Sequence, residues 1–159
     1  MSGIKAKDYL IQVKKLDALI NNNIGELEVL QALAEKTTAV LGGERVQTSG
    51  SGDSMADTTI KIVMLKQEIN EEIDRFVDLR NEARKLINEA CDYECARLLT
   101  MRYLGIFNDA TSKVEFKKWE EIAVELDFTY QHVSDRLHKK ALSQIQKALD
   151  EVSVTTVFV

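Results

Sequence analysis

Gln131, His132, Asp135, Arg136, Lys139 and Lys140 place hydrogen-bonding and charged side chains in a single short stretch near the C-terminal end of the chain. At 3.6 residues per turn a helix advances about 100° per residue. With Val133, Leu137 and Ala141 turned to a core, Gln131, His132, Asp135, Arg136 and Lys139 then face outward. Such a face suits duplex DNA. The Gln131 amide can pair with an adenine edge, and the Arg136 guanidinium can make a bidentate contact with guanine. His132, Lys139 and Lys140 suit phosphate oxygens, which fix register rather than sequence. Tyr130 opens this helix, and Lys113, Lys117 and Lys118 precede the neighbouring one, within reach of an adjacent phosphate. Asp135 runs against the pattern, because it sets a carboxylate near a phosphate or base edge. Glu120, Glu121 and Glu125 on the supporting helix bring local charge close to balance. A single copy is therefore expected to bind modestly and with strong salt dependence.

Other chemistries have less to work with. The two histidines, His132 and His138, lie six residues apart on different helix faces, with no ligand-spaced Cys or carboxylate beside them. Cys91 and Cys95 have no second pair, so thiols in or near a core outweigh zinc. The Gly-rich stretch Gly42 to Gly52 has no Gly-Lys-Ser/Thr after it, so it reads as a linker rather than a phosphate loop. The carboxylates are scattered over long helix faces, where solvation explains them. No catalytic residue, metal or cofactor is expected.

Two short helices around a tight corner must position the outward face. Ile122, Ala123 and Leu126 make the apolar stripe of the first, and Val133, Leu137 and Ala141 that of the second, at strict four-residue spacing. Asp127 stands where a chain leaving a helix turns left-handed, a conformation Asp tolerates better than most residues. Phe128 can plug the corner, and Thr129 can cap the helix that follows. This spacing predicts a helix-turn-helix, with the second helix running on through Ile145, Ala148 and Leu149. Ahead of it, Asp92 can cap a helix through Tyr103 or Leu104, stopped by Gly105, with Leu98, Leu99, Met101 and Leu104 as its apolar face. Residues 106–118 read as a loop whose Phe107 and Phe116 pack back on the domain. Trp119 reads as a core anchor for Leu98, Leu99 and Tyr103.

The N-terminal half reads as two long helices. Val13, Ile20, Leu27, Ala34 and Leu41 recur every seven residues, interleaved with Leu16, Asn23, Leu30 and Thr37, a heptad seam with one polar member that can set register. This predicts a helix over residues 4–41. A second helix is expected to start near Asp53 or Ser54 and run to about residue 91, on Ile62, Leu65, Ile69, Ile73, Phe76, Ala83, Leu86, Ile87 and Ala90. Each would extend roughly 50–55 Å. Similar lengths joined by a short linker suggest an antiparallel hairpin whose burial is completed by self-association or by docking on the C-terminal unit. The tail from residue 150 ends in Val152-Ser-Val-Thr-Thr-Val-Phe-Val159, β-branched and poor helix material, expected to fray or to pair in extended form.

Composition agrees with helices throughout. None of the 159 residues is proline, so no helix interior lacks an N–H donor. The net charge of −5 counts against a protein that coats DNA non-specifically. No run of about 18 apolar residues occurs, and the N-terminal segment has no apolar run of signal length, so a cytoplasmic protein with no membrane partner is expected.

Within these elements, Trp119 to Leu142 resembles the helix-turn-helix of region 4 of bacterial sigma factors. Val133-Ser-Asp-Arg-Leu-His-Lys-Lys-Ala-Leu142 is similar to the end of the recognition helix in the extracytoplasmic-function group. Tyr9 with Leu16-Asp17, Glu44-Arg-Val-Gln-Thr-Ser-Gly-Ser-Gly-Asp53, Leu98-Leu-Thr-Met-Arg-Tyr103, Trp119-Glu-Glu-Ile-Ala123 and His138-Lys-Lys-Ala-Leu142 together resemble a family of small phage and prophage proteins of Gram-positive bacteria. That family is described as sigma-like or late-transcription regulators. The chain departs from it in a longer segment between Tyr103 and Trp119, and from the sigma pattern in Asp135, where a small Ser is usual. It has no counterpart of the aromatic-rich sigma helix that melts promoter DNA. The resemblance implies engagement of DNA or of host RNA polymerase, without a complete initiation factor.

The sequence thus leads to an all-α protein: a helical hairpin over residues 1–91 with a linker at 42–52, a helix-turn-helix domain over 92–149, and a tail over 150–159. The expected function is that of a phage-type transcriptional regulator without enzymatic activity, expected as a homodimer and binding double-stranded DNA through Tyr130, Gln131, His132, Asp135, Arg136, Lys139, Lys140 and Lys118. The alternatives are a protein-interaction factor that grips RNA polymerase, a sigma factor or a DNA-packaging component through the hairpin, and a DNA-packaging recognition subunit.

 Host RNA polymerase is expected as a further partner.

Overall fold

The computed structural model describes the backbone of residues 4–43 and 51–157 and the side chains of residues 4–36 and 55–152. Helices dominate. In chain order they are α1 (Ala6–Gly43), α2 (Ser51–Ala90), α3 (Tyr93–Leu99), α4 (Trp119–Leu126) and α5 (His138–Val157). One π turn, Thr100–Leu104, continues α3, and another, His132–Leu137, leads into α5. Two short antiparallel strands, β1 (Ile106–Asn108) and β2 (Lys113–Glu115), complete the set. Among the described residues, no helix is long and apolar enough to cross a membrane.

By contacts the chain divides inside both long helices. One unit comprises residues 1–17 and 76–159, the other residues 18–75. In the larger unit, Leu10 and Val13 of α1 and Ala83 and Ile87 of α2 are fully buried in one core with Leu98, Leu99, Leu104, Ile122, Val133, Ala141 and Ile145. The ends of the long helices are thus part of the C-terminal domain's core. Truncating one such Leu to Ala would cost about 2–5 kcal/mol. Arg80 of α2 adds a polar tie: its Nε and Nη2 donate to the carbonyls of Leu104 and Gly105 at 3.1 and 2.9 Å. A cation suits these carbonyls, which end a helix and have no partner within it.

In the smaller unit, Ile20 and Ile69 are buried, and Asn23 Nδ2 donates to Glu72 Oε1 at 2.7 Å. The seam Asn therefore has its partner within the same chain. Ile73, expected in the α2 stripe, is 39% exposed, whereas Glu72 is only 5% exposed. The three- and four-residue steps run Ile69, Glu72, Phe76, and this phase leaves Ile73 on the outer side. The linker expected at 42–52 is shorter at both ends, because α1 reaches Gly43 and α2 starts at Ser51. Its middle, residues 44–50, lies outside the described residues, as do the side chains of Asp53 and Ser54 that were expected to cap α2.

Two other expectations are corrected. Residues 106–118 are not all loop: Phe107 pairs with Val114 and Asn108 with Lys113 across β1 and β2. Asn108 Oδ1 accepts from the Ala110 N–H at 2.9 Å and starts the turn, and Ser112 closes it with φ 55°. The alternation of Ile106, Phe107, Val114 and Phe116 with turn formers between them is a hairpin pattern. Phe107 does not pack back, being 59% exposed, and only Phe116 is half-buried. The C-terminal tail neither frays at residue 150 nor extends. Helix α5 carries it to Val157, overriding the weak helix propensity of its β-branched residues.

The π turn at His132–Leu137 accounts for a spacing visible in the sequence. Val133, Leu137, Ala141 and Ile145 are all buried at intervals of four. In a pure α-helix each four-residue step drifts by about 40°, so three steps would carry the stripe about 120° round the axis. A wider turn, with bonds to the fifth residue, takes up part of that drift and keeps the four side chains on one face.

Candidate nucleic-acid interface

Helix α4 begins at Trp119, after Lys118 in extended conformation with φ −78° and ψ 160°. The Lys118 N–H donates to Glu121 Oε1 at 3.1 Å, the backward half of a capping box. The helix ends at Asp127, whose φ of 58° and ψ of 45° are left-handed. There the Phe128 N–H donates to the Ala123 carbonyl at 3.0 Å. Phe128 packs against the core, and Thr129 Oγ1 accepts from the His132 N–H at 3.2 Å, capping the helical run that follows. Each of these local bonds satisfies a helix-end group that would otherwise lack a partner.

Beside this corner lies a cleft of about 770 Å³ lined by Asp127, Phe128, Thr129, Gln131, His132, Ser134, Asp135 and Arg136. It brings together four of the residues expected to contact DNA: Gln131, His132, Asp135 and Arg136. Gln131 and Arg136 are exposed; His132 is half-buried, its ring tilted against Phe128 with centroids 4.7 Å apart. Tyr130 is 47% exposed but does not line the cleft. Lys118 is exposed at the N-terminus of α4, also outside it.

Three of the lysines expected to meet phosphates, Lys139, Lys140 and Lys117, are already engaged. Lys139 Nζ lies 2.8 Å from Asp135 Oδ1, one helical turn back. The hydrogen bond, then the charge, holds the Asp135 carboxyl below and the Lys139 ammonium above its ordinary value. Lys140 Nζ lies 2.9 Å from Asp92 Oδ2, while Asp92 Oδ1 accepts from the Cys95 N–H at 3.0 Å and so caps α3. Lys140 and the Cys95 N–H together hold the Asp92 carboxyl far below the carboxylate range. Lys117 Nζ pairs with Glu125 Oε1 at 3.3 Å. Arg136 makes no ion pair among the described residues.

A second cleft, of about 390 Å³, is lined by Lys7, Ile11, Lys14, Arg102, Tyr103, Trp119, Ser134 and His138. Nothing in the sequence signals it, because Lys7 and Lys14 meet His138 around this cleft only through tertiary packing. The Tyr103 hydroxyl and His138 Nε2 are 2.6 Å apart, and Trp119 meets the His138 ring edge-on with centroids 4.7 Å apart. Arg102 lies over the Trp119 ring at 4.4 Å and donates from Nη1 to the Lys117 carbonyl at 3.2 Å. Trp119 does pack on the core, with His138 and Arg102 as its ring neighbours. Burial, reinforced by the charges of Lys7 and Arg102, lowers His138 to a pKa of about 4. Burial likewise raises Tyr103. A neutral ring accepting at Nε2 from a protonated phenol fits both shifts.

Burial pushes the Cys91 thiol up to about 11 and Cys95 up to about 12, far from the range of a reactive thiolate. Among the described residues no three His, Cys, Asp or Glu side chains cluster as metal ligands. Comparisons with family models, curated proteins and solved structures give no match for this chain.

Proposed function

We propose that the chain is a phage-type transcriptional regulator that binds double-stranded DNA. In this reading α4, the Asp127 corner and the helical run from Tyr130 act as a sigma region 4-like helix-turn-helix. The observation that carries it is the cleft at the start of that run, where Gln131 and Arg136 stand exposed beside a left-handed corner. N-terminal residues of a recognition helix contact base edges in the major groove. Gln131 reads adenine and Arg136 reads guanine. Recruitment or positioning of host RNA polymerase follows from the motif resemblance alone. No reaction is assigned to the chain, and a cytoplasmic site of action goes with the regulator.

The long helices act as an antiparallel hairpin that joins two copies. Leu19, Ile24, Val29, Ile60, Val63 and Met64 of the smaller unit are each between 37% and 63% exposed. So many exposed apolar side chains on one helical pair suit an interface. The same residues favour a second reading, in which the pair grips a partner protein and the corner is a protein-binding surface.

The test is selection of duplexes from a random DNA pool by the full chain. The regulator recovers one enriched sequence, and replacing both Arg136 and Lys139 with Ala abolishes its specific retention at unchanged helicity. Undiminished specific binding by that variant would reject the DNA role of this face.

A further inference from the structure

The proposed reading face is short of cations. Asp135 holds Lys139, Asp92 holds Lys140 and Glu125 holds Lys117. Duplex DNA binding draws much of its affinity from phosphate contacts, so Arg136, with only Lys113 and Lys118 ahead of the neighbouring helix, is a thin supply. The second cleft has the opposite balance. Lys7, Lys14 and Arg102 line it, and none of its lining residues is a carboxylate. The two clefts adjoin, because Ser134 of the reading helix lines both.

We propose that the second cleft is a DNA phosphate clamp in which Lys7 and Lys14 of α1, with Arg102, hold the sugar-phosphate backbone beside the groove that Gln131 and Arg136 read. The inference rests on the DNA reading of the adjacent helix. Lys7 and Lys14 are exposed, and they stand two turns apart on α1, about 10 Å along its axis. One DNA strand carries a phosphate about every 3.4 Å of rise, so that spacing suits an extended anionic strand better than one small anion. Lys14 Nζ rests 5.5 Å from the Phe116 ring centroid and Arg102 on Trp119, contacts that hold the cations in place without neutralising them. The first helix thereby takes part in binding as well as in the core.

The test uses the full chain, a labelled mixed-sequence duplex and the sequence enriched by selection, with affinities measured across a salt series. Lys7→Gln/Lys14→Gln should weaken binding to both duplexes roughly 60-fold at 0.1 M salt and lower the salt slope by about 1.8, that is about 0.9 per lost contact. Sequence preference should be unchanged, and Lys7→Arg/Lys14→Arg should restore wild-type binding. Lys61→Gln/Lys66→Gln, the same charge change at exposed α2 positions, should leave the slope as in wild type. A clamp variant whose slope equals that of this control overturns the clamp, and the DNA reading stands if Arg136→Ala still relaxes sequence preference. A lowered slope with preference untouched by Arg136→Ala keeps the clamp and overturns the base-reading role. No retention of either duplex by the wild type at low salt overturns both.

Discussion

His138 should make the protein's stability fall as pH drops below about 6.5, and the size of the effect follows from its surroundings. Lys7 from α1, Arg102 and Tyr103 from the π turn after α3, and Trp119 from α4 face the ring, with no carboxylate lining the cleft. The folded-state pKa of about 4 lies below the ordinary 6.5. Above pH 6.5 the ring is neutral in both states, so it adds no pH dependence. Between 6.5 and 4 the unfolded chain takes up a proton that the folded chain refuses, and stability is lost. The full shift corresponds to about 3 kcal/mol. Partial solvent access to a half-buried ring reduces this, leaving about 1 kcal/mol at pH 5.5 and about 2 kcal/mol at pH 4.5. Asp92, whose pKa is depressed, loses its contribution only below about 3.8, outside this window.

Urea unfolding of wild type and His138→Phe at pH 7, 5.5 and 4.5 isolates this effect, because other titrating groups cancel in the difference. At pH 7 the variant should be less stable by about 1–2 kcal/mol, since the buried Tyr103 hydroxyl loses its partner. By pH 4.5 the two should be equal, or the variant more stable. Parallel loss of stability by both proteins across that range would refute a buried, neutral His138.

Asp135→Asn should free Lys139 for phosphate, raising DNA affinity and steepening the salt slope by up to about 0.9, with an unchanged urea midpoint; weaker binding would show that Asp135 itself contacts DNA. Gly105→Ala should destabilise the fold by about 3 kcal/mol, measured by urea unfolding. Its φ is 79°, and a Cβ there would collide with Val114 Cγ1 and lie 3.2 Å from the Glu115 carbonyl; a loss under about 1 kcal/mol would contradict the close approach of β2. Light scattering at tens of micromolar, a range suited to weak dimers, should give a molar mass above 18.0 kDa, reduced by Val63→Glu; a clean monomer would remove the smaller unit as a dimer interface.

What the sequence revealed were features written in local chemistry. Asp127 as a left-handed corner, Thr129 as a cap, Asp92 as the cap of α3 and Gly105 as its stop each depend on backbone groups within a few residues. Periodicity likewise gave the helical class and most of the buried stripes. The failures came where distant packing decides. Residues 106–118 needed their cross-strand partners to become a hairpin, and the β-branched tail became helical against its own propensity. The partners of Lys139 and Lys140 cannot be read from helix phase alone: Asp135 shares the outward face as an apparent rival, and Asp92 lies on another element. The same limit hid the second cleft, since nothing local links Lys7 to Arg102 and His138. Strict four-residue spacing from Val133 to Ile145 drifts round a uniform α-helix, and the π turn at His132–Leu137 takes up part of that drift. That turn lies within the proposed reading helix, so the geometry presenting Gln131 and Arg136 is set by the demand to bury Val133 and Leu137 beneath them.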